Sequence, residues 1–516
     1  MAQEEIRLQY SGFIVFTTQL LGVITGLIFT LLLTRNMSPS QYGVWTNIFD
    51  YTTYFVVFSG IIPFWATRFT ARKKAGTVKT AVFVQLTFAL VSFLIYLPII
   101  FLISHAIKTT GILPIYFIAG LYILTYSGVN VFESILQATK PQATGYGFII
   151  QEVVKVTVGL VLILGFKEIF FGAVLAIILG PVVQMFYYSY LLFGYIRERV
   201  NWGYLREWLK GSPAIAYNMI GNTLMSFVLI LLFLYGGSTA RADYQAALSF
   251  TTIVGYSASL AFGLYPKLLS NSCGDEHVGS SFRTVLMLAI PLATITMVMS
   301  YSFLTILNIS YGEAWPVLIA LTVYTLVSLI SSFYGNCLMG IEAFDAEGKI
   351  SMSELVRSKI FKVFTMPYIQ AAIALPLTFF VLTRLPIASA VQATLYVVVI
   401  LIGVNLSTFF GLYWFMHREL RLHVHWTGTA KYVLAALIMG FVLYVLPTTT
   451  TLLSTIGKAA AGFGIYVVIL LAIDKEARQL VGLIWEEIKG SIMQLTSKNN
   501  QGNNENTFDL ETPAEN

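Results

Sequence analysis

The chain has 516 residues, of which 57% are hydrophobic and only 11% charged, and its mean hydropathy is +0.76. Water-soluble proteins carry about 45–50% apolar and about 25% charged residues, so this composition excludes a soluble globule; the apolar excess must face lipid. The net charge of +6 is therefore read as a distribution of Lys and Arg across a membrane, and no nucleic-acid partner is expected.

Stretches of about 20 apolar residues, the length that crosses a hydrocarbon core as a helix, occur fourteen times. They run over 11–34, 42–66, 80–104, 112–134, 146–166, 169–195, 213–235, 245–266, 283–304, 315–337, 360–382, 387–416, 427–447 and 451–473. Glu4, Glu5 and Arg7 precede a full-length first span with no A-x-A-like cleavage site, so that span reads as a retained helix. Of the Lys and Arg residues, 24 fall on the side of the N-terminus and 5 on the other, the latter being Arg35, Lys108, Lys167, Arg241 and Arg384. By the positive-inside rule both termini are expected to be cytoplasmic in a multi-pass cell-membrane protein. The outer loops are too short to hold a domain.

Two cytoplasmic segments are amphipathic. In 196–212 the basic Arg197, Arg199, Arg206 and Lys210 interleave with Trp202, Tyr204 and Trp208, the pattern of a helix at headgroup level. In 474–496 Ala477, Leu480, Val481, Ile484, Ile488 and Ile492 recur at helical spacing, and 497–516, rich in Asn and Glu, is expected to be disordered. Cys273 and Cys337 have no CxxC spacing and are placed on the cytoplasmic side, where a structural disulfide is not expected.

An internal repeat organises the spans. At a fixed offset Pro114 maps to Pro316, Leu136 to Leu338, and Glu152-Val153-Val154-Lys155 to Glu354-Leu355-Val356-Arg357. This predicts an all-α membrane protein of 14 transmembrane helices: an N-lobe of six (1–195), a cytoplasmic connector (196–212), a C-lobe of six (213–416) and an appended helix pair (417–473). Parallel repeats imply a two-fold axis along the membrane normal with a site between the lobes.

Ionisable residues inside the bilayer cost about 2.5–3.5 kcal/mol each and are paired or face a cavity. They are few here. Asp50 lies in span 2, with a proton or cation role or hydrogen bonding around Thr52 and Thr53 as its alternatives. Arg68 closes span 2, and Glu133 lies near the end of span 4 as a further candidate for ion coupling. Glu152 and Lys155 share one face of span 5 and can neutralise each other, and Glu354 and Arg357 are their repeat mates. In the functional reading Arg68, Lys155 and Arg357 receive an anionic group while Glu152 and Glu354 hold the basic side chains extended. In the plainer reading the acid–base pairs are structural and Arg68 is a topology anchor. His423 and His425 have no third ligand nearby, so no metal is expected. Walker A, G-x-G-x-x-G, H-E-x-x-H and G-x-S-x-G patterns are absent from the sequence, so neither a motor domain, a cofactor nor a hydrolase site is expected.

The run Leu31-Leu32-Leu33-Thr34-Arg35-Asn36-Met37-Ser38-Pro39-Ser40-Gln41-Tyr42-Gly43 resembles the first interhelical turn of polysaccharide-biosynthesis flippases, the Wzx-like members of the multidrug/oligosaccharidyl-lipid/polysaccharide exporter superfamily. Ala66-Thr67-Arg68-Phe69, Ile135-Leu136-Gln137-Ala138-Thr139-Lys140-Pro141 and Tyr311-Gly312 resemble that family as well. The resemblance implies a V-shaped pair of six-helix lobes that opens alternately to each side. It also implies a cargo of isoprenoid-pyrophosphate-linked oligosaccharide, with glycan-assembly enzymes as partners beside membrane lipids. The acid–base character of the cavity candidates leaves two alternatives open: a cation-coupled drug antiporter of the same superfamily, with Asp50 as its acid, and an embedded glycan polymerase or ligase, which the short outer loops disfavour.

Overall fold

The computed structural model of the chain describes residues 18, 21–106, 110–261, 275–341, 359–419, 426–475 and 477–478. Every regular element among them is helical. The first half contains α1 (Leu21–Asn36), α2 (Pro39–Phe55), α3 (Ile61–Ala71), α4 (Thr77–Ala106), α5 (Leu113–Ala119), α6 (Leu121–Thr139), α7 (Pro141–Gly159) and α8 (Ile169–Leu191). The connector helix α9 (Trp202–Gly211) leads into α10 (Pro213–Leu231), α11 (Ser238–Gly255), α12 (Asp275–Val298), α13 (Ser300–Leu307), α14 (Trp315–Ile341), α15 (Lys359–Arg384) and α16 (Ala390–Glu419). An additional pair, α17 (Trp426–Val445) and α18 (Leu452–Ile473), follows.

Local sequence explains the helix starts. Pro39, Pro141 and Pro213 stand at first-turn positions, where the missing N–H costs nothing. Ser38 caps α2 reciprocally with Gln41: its hydroxyl accepts from the Gln41 N–H at 3.3 Å, and its own N–H donates to Gln41 Oε1 at 2.9 Å. Gly237, at φ +91°, makes the tight passage from α10 to α11 that a residue with a Cβ would adopt only under strain. Within the helices, hydroxyls of Thr34, Thr87 and Thr322 donate to carbonyls one turn back, which satisfies them where no water is available.

Eleven of the described helices are long and apolar enough to cross a membrane, and twelve if α2 and α3, bent by 58° at Val57–Gly60, form one broken span. Predicted spans 1 and 8 are described only in part, span 1 chiefly as Leu21–Asn36 and span 8 up to residue 261; α11, which covers much of span 8, carries Arg241 and Asp243 in its first turns. Large apolar side chains on the outside of the bundle, such as Leu102, Phe186, Phe441, Tyr444 and Leu453, are two-thirds exposed or more, as lipid-facing groups would be.

In the first half α6 packs against α3, α4 and α8, and α7 lies along α8; in the second α14 packs against α11, α12 and α16, and α10 lies along α15. The halves meet where α2 lies against α11 and α10. One hydrophobic core runs through this junction, joining Leu33, Tyr42 and Ile48 to Leu232, Ala240, Val317 and Val397. The additional pair packs on α12. The connector departs from a purely interfacial helix: Trp202 is 60% exposed, but Trp208 is fully buried against Phe69 of α3. The α9 face carrying Trp208 is thus part of the protein core. Of the expected amphipathic segment 474–496, only Asp474, Lys475, Ala477 and Arg478 belong to the described residues, and the tail lies outside them. Cys337 is buried as a free thiol, and Cys273 lies outside the described residues.

Candidate functional site

The junction between the halves is closed at one end of the bundle, the end that carries the α1–α2, α10–α11 and α13–α14 turns. Here the Arg35 guanidinium donates to the Ile306 carbonyl through Nη2 at 3.0 Å and Nε at 3.2 Å. Asn308 Nδ2 donates to the Thr34 carbonyl at 3.2 Å, and the Thr34 hydroxyl lies 3.4 Å from the Leu307 carbonyl. The Ser40 and Ser238 hydroxyls hydrogen-bond to each other at 2.7 Å. Gly43 is what allows α2 to lie this close to α11, since a Cβ there would fall on the Ser238 carbonyl. Beneath these contacts the buried rings of Tyr42 and Tyr311, one from each half, meet edge to face at 6.3 Å.

Deeper along α2 sits the most strongly paired charge at the junction. Arg241 of α11 grips Asp50 of α2 with both arms of its guanidinium, Nε to Oδ2 at 2.7 Å and Nη2 to Oδ1 at 2.9 Å. Nη1 donates to Gln245 Oε1 at 3.1 Å, one turn along α11. The side chains are 3% and 10% exposed. Two-point geometry of this kind is specific to the guanidinium fork and strengthens as water is excluded. The surroundings are aromatic and polar: Tyr244 faces the guanidinium, and Asn47, one turn before Asp50, is fully buried.

Arg241 overturns one sequence expectation and refines another. The apolar pattern places it in a short outer loop, but it lies inside α11 and is buried, because α11 begins at Ser238, before the apolar stretch. Asp50 does not pair with Thr52 or Thr53; their hydroxyls donate to the Phe49 carbonyl at 2.9 and 3.0 Å, leaving the carboxylate to Arg241. A trace of this partnership exists in the sequence, since an acid and a base both lying in or beside apolar spans are candidates to pair. Nothing in the sequence said which base.

The other candidate residues occupy separate places. Lys155 Nζ donates to Glu152 Oε1 at 2.6 Å within α7, and the second Glu152 oxygen accepts from the Thr25 hydroxyl of α1. Lys155 also lies 5.7 Å from the Phe29 ring of α1. The structure thus brings Glu152 and Lys155 together as an intrahelical pair at the α1–α7 contact. Arg68 lies on α3, where its guanidinium stacks on the Phe64 ring at 3.5 Å and Nη1 donates to the Phe64 carbonyl at 3.3 Å. Glu133 of α6 accepts from Gln184 Nε2 of α8 at 2.9 Å, and the Tyr188 hydroxyl stands 3.2 Å from the same oxygen and 3.0 Å from the Thr144 carbonyl. This network ties α6, α7 and α8 together inside the first half. Glu354 and Arg357 lie outside the described residues, as do His423 and His425. Among the described residues no group of three or more His, Cys, Asp or Glu is placed to hold a metal ion.

The fold has known counterparts. The chain is similar to an inward-facing multidrug-resistance MATE-family transporter of the MOP superfamily, at a TM-score of 0.60 and 11% identity over 76% of this chain and 94% of that one. It is similar to the lipid II flippase MurJ in an inward closed conformation, at a TM-score of 0.56 and 15% identity over 92% of this chain and 99% of that one. An outward-facing MATE-family transporter matches at a TM-score of 0.50 and 14% identity over 80% of this chain. No family model matches the chain, and no curated protein matches it in sequence. The chain therefore shares its fold with these transporter structures.

Proposed function

We propose that the chain is an alternating-access flippase of the MOP superfamily that moves an isoprenoid-(pyro)phosphate-linked oligosaccharide across the cell membrane for surface polysaccharide or glycan assembly. The observation that carries this reading is the extent of the likeness to MurJ, named as a lipid II flippase: it spans 92% of this chain, against 76–80% for the MATE structures. The added share is about the size of the additional pair α17–α18 and its flanks. Sugar hydroxyls and phosphates cannot cross hydrocarbon unaided, and a polar path between two moving halves meets that need.

In this reading the halves are the two six-helix lobes of the sequence repeat. The closed end is the outer one, in keeping with the Lys and Arg distribution and cytoplasmic termini, so the molecule is poised to accept cargo from the cytoplasmic leaflet. Similar packing in the halves supports the repeat: α4 packs on α6 in the first as α12 packs on α14 in the second. Arg68, Lys155 and Arg357 receive the phosphate, and Glu152 and Glu354 hold the basic side chains while the path is empty. The proposed path has no chemical step, and the glycan-assembly enzymes that supply and consume the cargo are its functional partners. A second reading, a cation-coupled drug antiporter, is favoured by the TM-score of 0.60 to a MATE transporter and by the half-buried acid Glu133; Asp50 could serve it only when released from Arg241.

Proteoliposomes separate the two. A fluorescent isoprenoid-diphosphate oligosaccharide should be translocated by the wild-type protein, and the folded double variant Lys155→Gln/Arg357→Gln should lose that activity. Ion-gradient-driven uptake of a cationic dye without any lipid translocation would refute the flippase reading.

A further inference from the structure

The contacts that close one end of the bundle differ in kind. Most are uncharged or one-sided: backbone carbonyls, a pair of serine hydroxyls and an edge-to-face ring contact. Such contacts exchange for water with little net change when a path opens. The Asp50–Arg241 pair is different, because it is bidentate, nearly excluded from solvent, and made of one residue from each half. Its two members sit on α2 and α11, the helices through which the halves touch. The two helices carry few other charges: α2 contains only Asp50, and α11 adds the buried Asp243, two residues beyond Arg241.

We propose that Asp50 and Arg241 are the gate residues of the transport path: their ion pair holds the outer end shut, and must break for cargo to leave. The proposal rests on the alternating-access reading and adds to it the residues that set the balance between its states. The physical reason lies in what each state does with charge. With the end closed the two charges satisfy one another out of water. With the halves apart each must be hydrated in the opened path, which is feasible only because water enters there. Removing one charge leaves the other buried and uncompensated in the closed state alone, so single neutralisation should favour opening. Removing both leaves no stranded charge, and reversing both rebuilds the pair. A purely structural pair would instead lower the stability of every state, without a preference for one.

The gate role predicts a pattern that loss of activity alone could not reveal. In a cysteine-free background (Cys273→Ser, Cys337→Ser), Ser40→Cys and Ser238→Cys place two thiols where hydroxyls now lie 2.7 Å apart, and oxidant-driven disulfide formation reports closure of that end. The reference pair should cross-link readily in membranes. Asp50→Asn and Arg241→Gln should each slow cross-linking by roughly ten-fold or more. The double neutral variant Asp50→Asn/Arg241→Gln and the reversal Asp50→Arg/Arg241→Asp should each recover at least half of the reference rate, all variants first being shown monodisperse by gel filtration. Equal cross-linking rates in all five proteins would overturn the gate role. So would equal slowing in the single, double and reversed variants. The transport reading is tested separately in the same protein: cross-linking should stop lipid translocation and reductant should restore it. Full translocation by the cross-linked protein would defeat alternating access, whatever the variants do.

Discussion

Replacing Gly43 by Ala should shift the molecule away from the state described here, with a sign opposite to that expected from helix formation. Gly43 lies inside α2, where Ala is intrinsically the better residue by about 1 kcal/mol, so on local grounds the substitution stabilises. Across the junction, however, the added methyl would overlap the Ser238 backbone carbonyl. A flexible side chain could move aside, but a carbonyl at the start of α11 cannot do so without shifting the helix. Overpacking of this kind costs about 1–3 kcal/mol, and it is borne only when α2 and α11 touch. The closed state should therefore lose about 5- to 150-fold in population relative to any state in which the halves are apart. Thr34 is fully buried at the same end, against Leu307 of the second half, so a thiol at Thr34→Cys is a local reporter. Its labelling by a membrane-impermeant maleimide should be slow in the otherwise native protein and faster by that factor with Gly43→Ala. A lowered melting temperature with unchanged labelling would refute the reasoning, because the contact would then matter to folding and not to the position of the halves.

Two further outcomes test other parts of the molecule. Trp208→Ala removes a fully buried indole packed against Phe69 and Tyr204, and should cost about 3–5 kcal/mol, visible as loss of monodisperse protein and a lower melting temperature; Trp202→Ala, at a 60% exposed position, should stay within about 0.5 kcal/mol of the parent. Cysteines at Lys73 and Lys475 should resist labelling from outside intact cells while one at Lys167 reacts, as the 24 to 5 distribution of Lys and Arg requires; reaction at Lys73 would invert the topology.

Mean hydropathy and the length of apolar runs depend only on composition and order, and they alone already make this a helical membrane protein. The sequence locates most of the helices to within a few residues, as span 11 at 360–382 against α15 at Lys359–Arg384 illustrates. It also singles out Asp50, Glu133, Glu152 and Lys155, since an ionisable group in an apolar run stands out whatever surrounds it. Partners at short range were readable for the same reason: Glu152 and Lys155 lie three residues apart, and helix geometry alone puts them in reach.

What the longer-range charges do depends on how the helices pack. By pattern alone Arg241 falls with the outer-loop cations, because an arginine beside an apolar run looks the same whether it meets water or a carboxylate from another helix. Its partner Asp50 lies 191 positions away in the chain, and that meeting depends on how α2 packs on α11, which in turn depends on a glycine whose missing Cβ lets two backbones touch. The break between α2 and α3 and the burial of Trp208 likewise arise from neighbours that no local pattern names. Hydrophobicity is additive along the sequence and can be read from it, whereas ion pairing between distant helices exists only where packing brings the charges together.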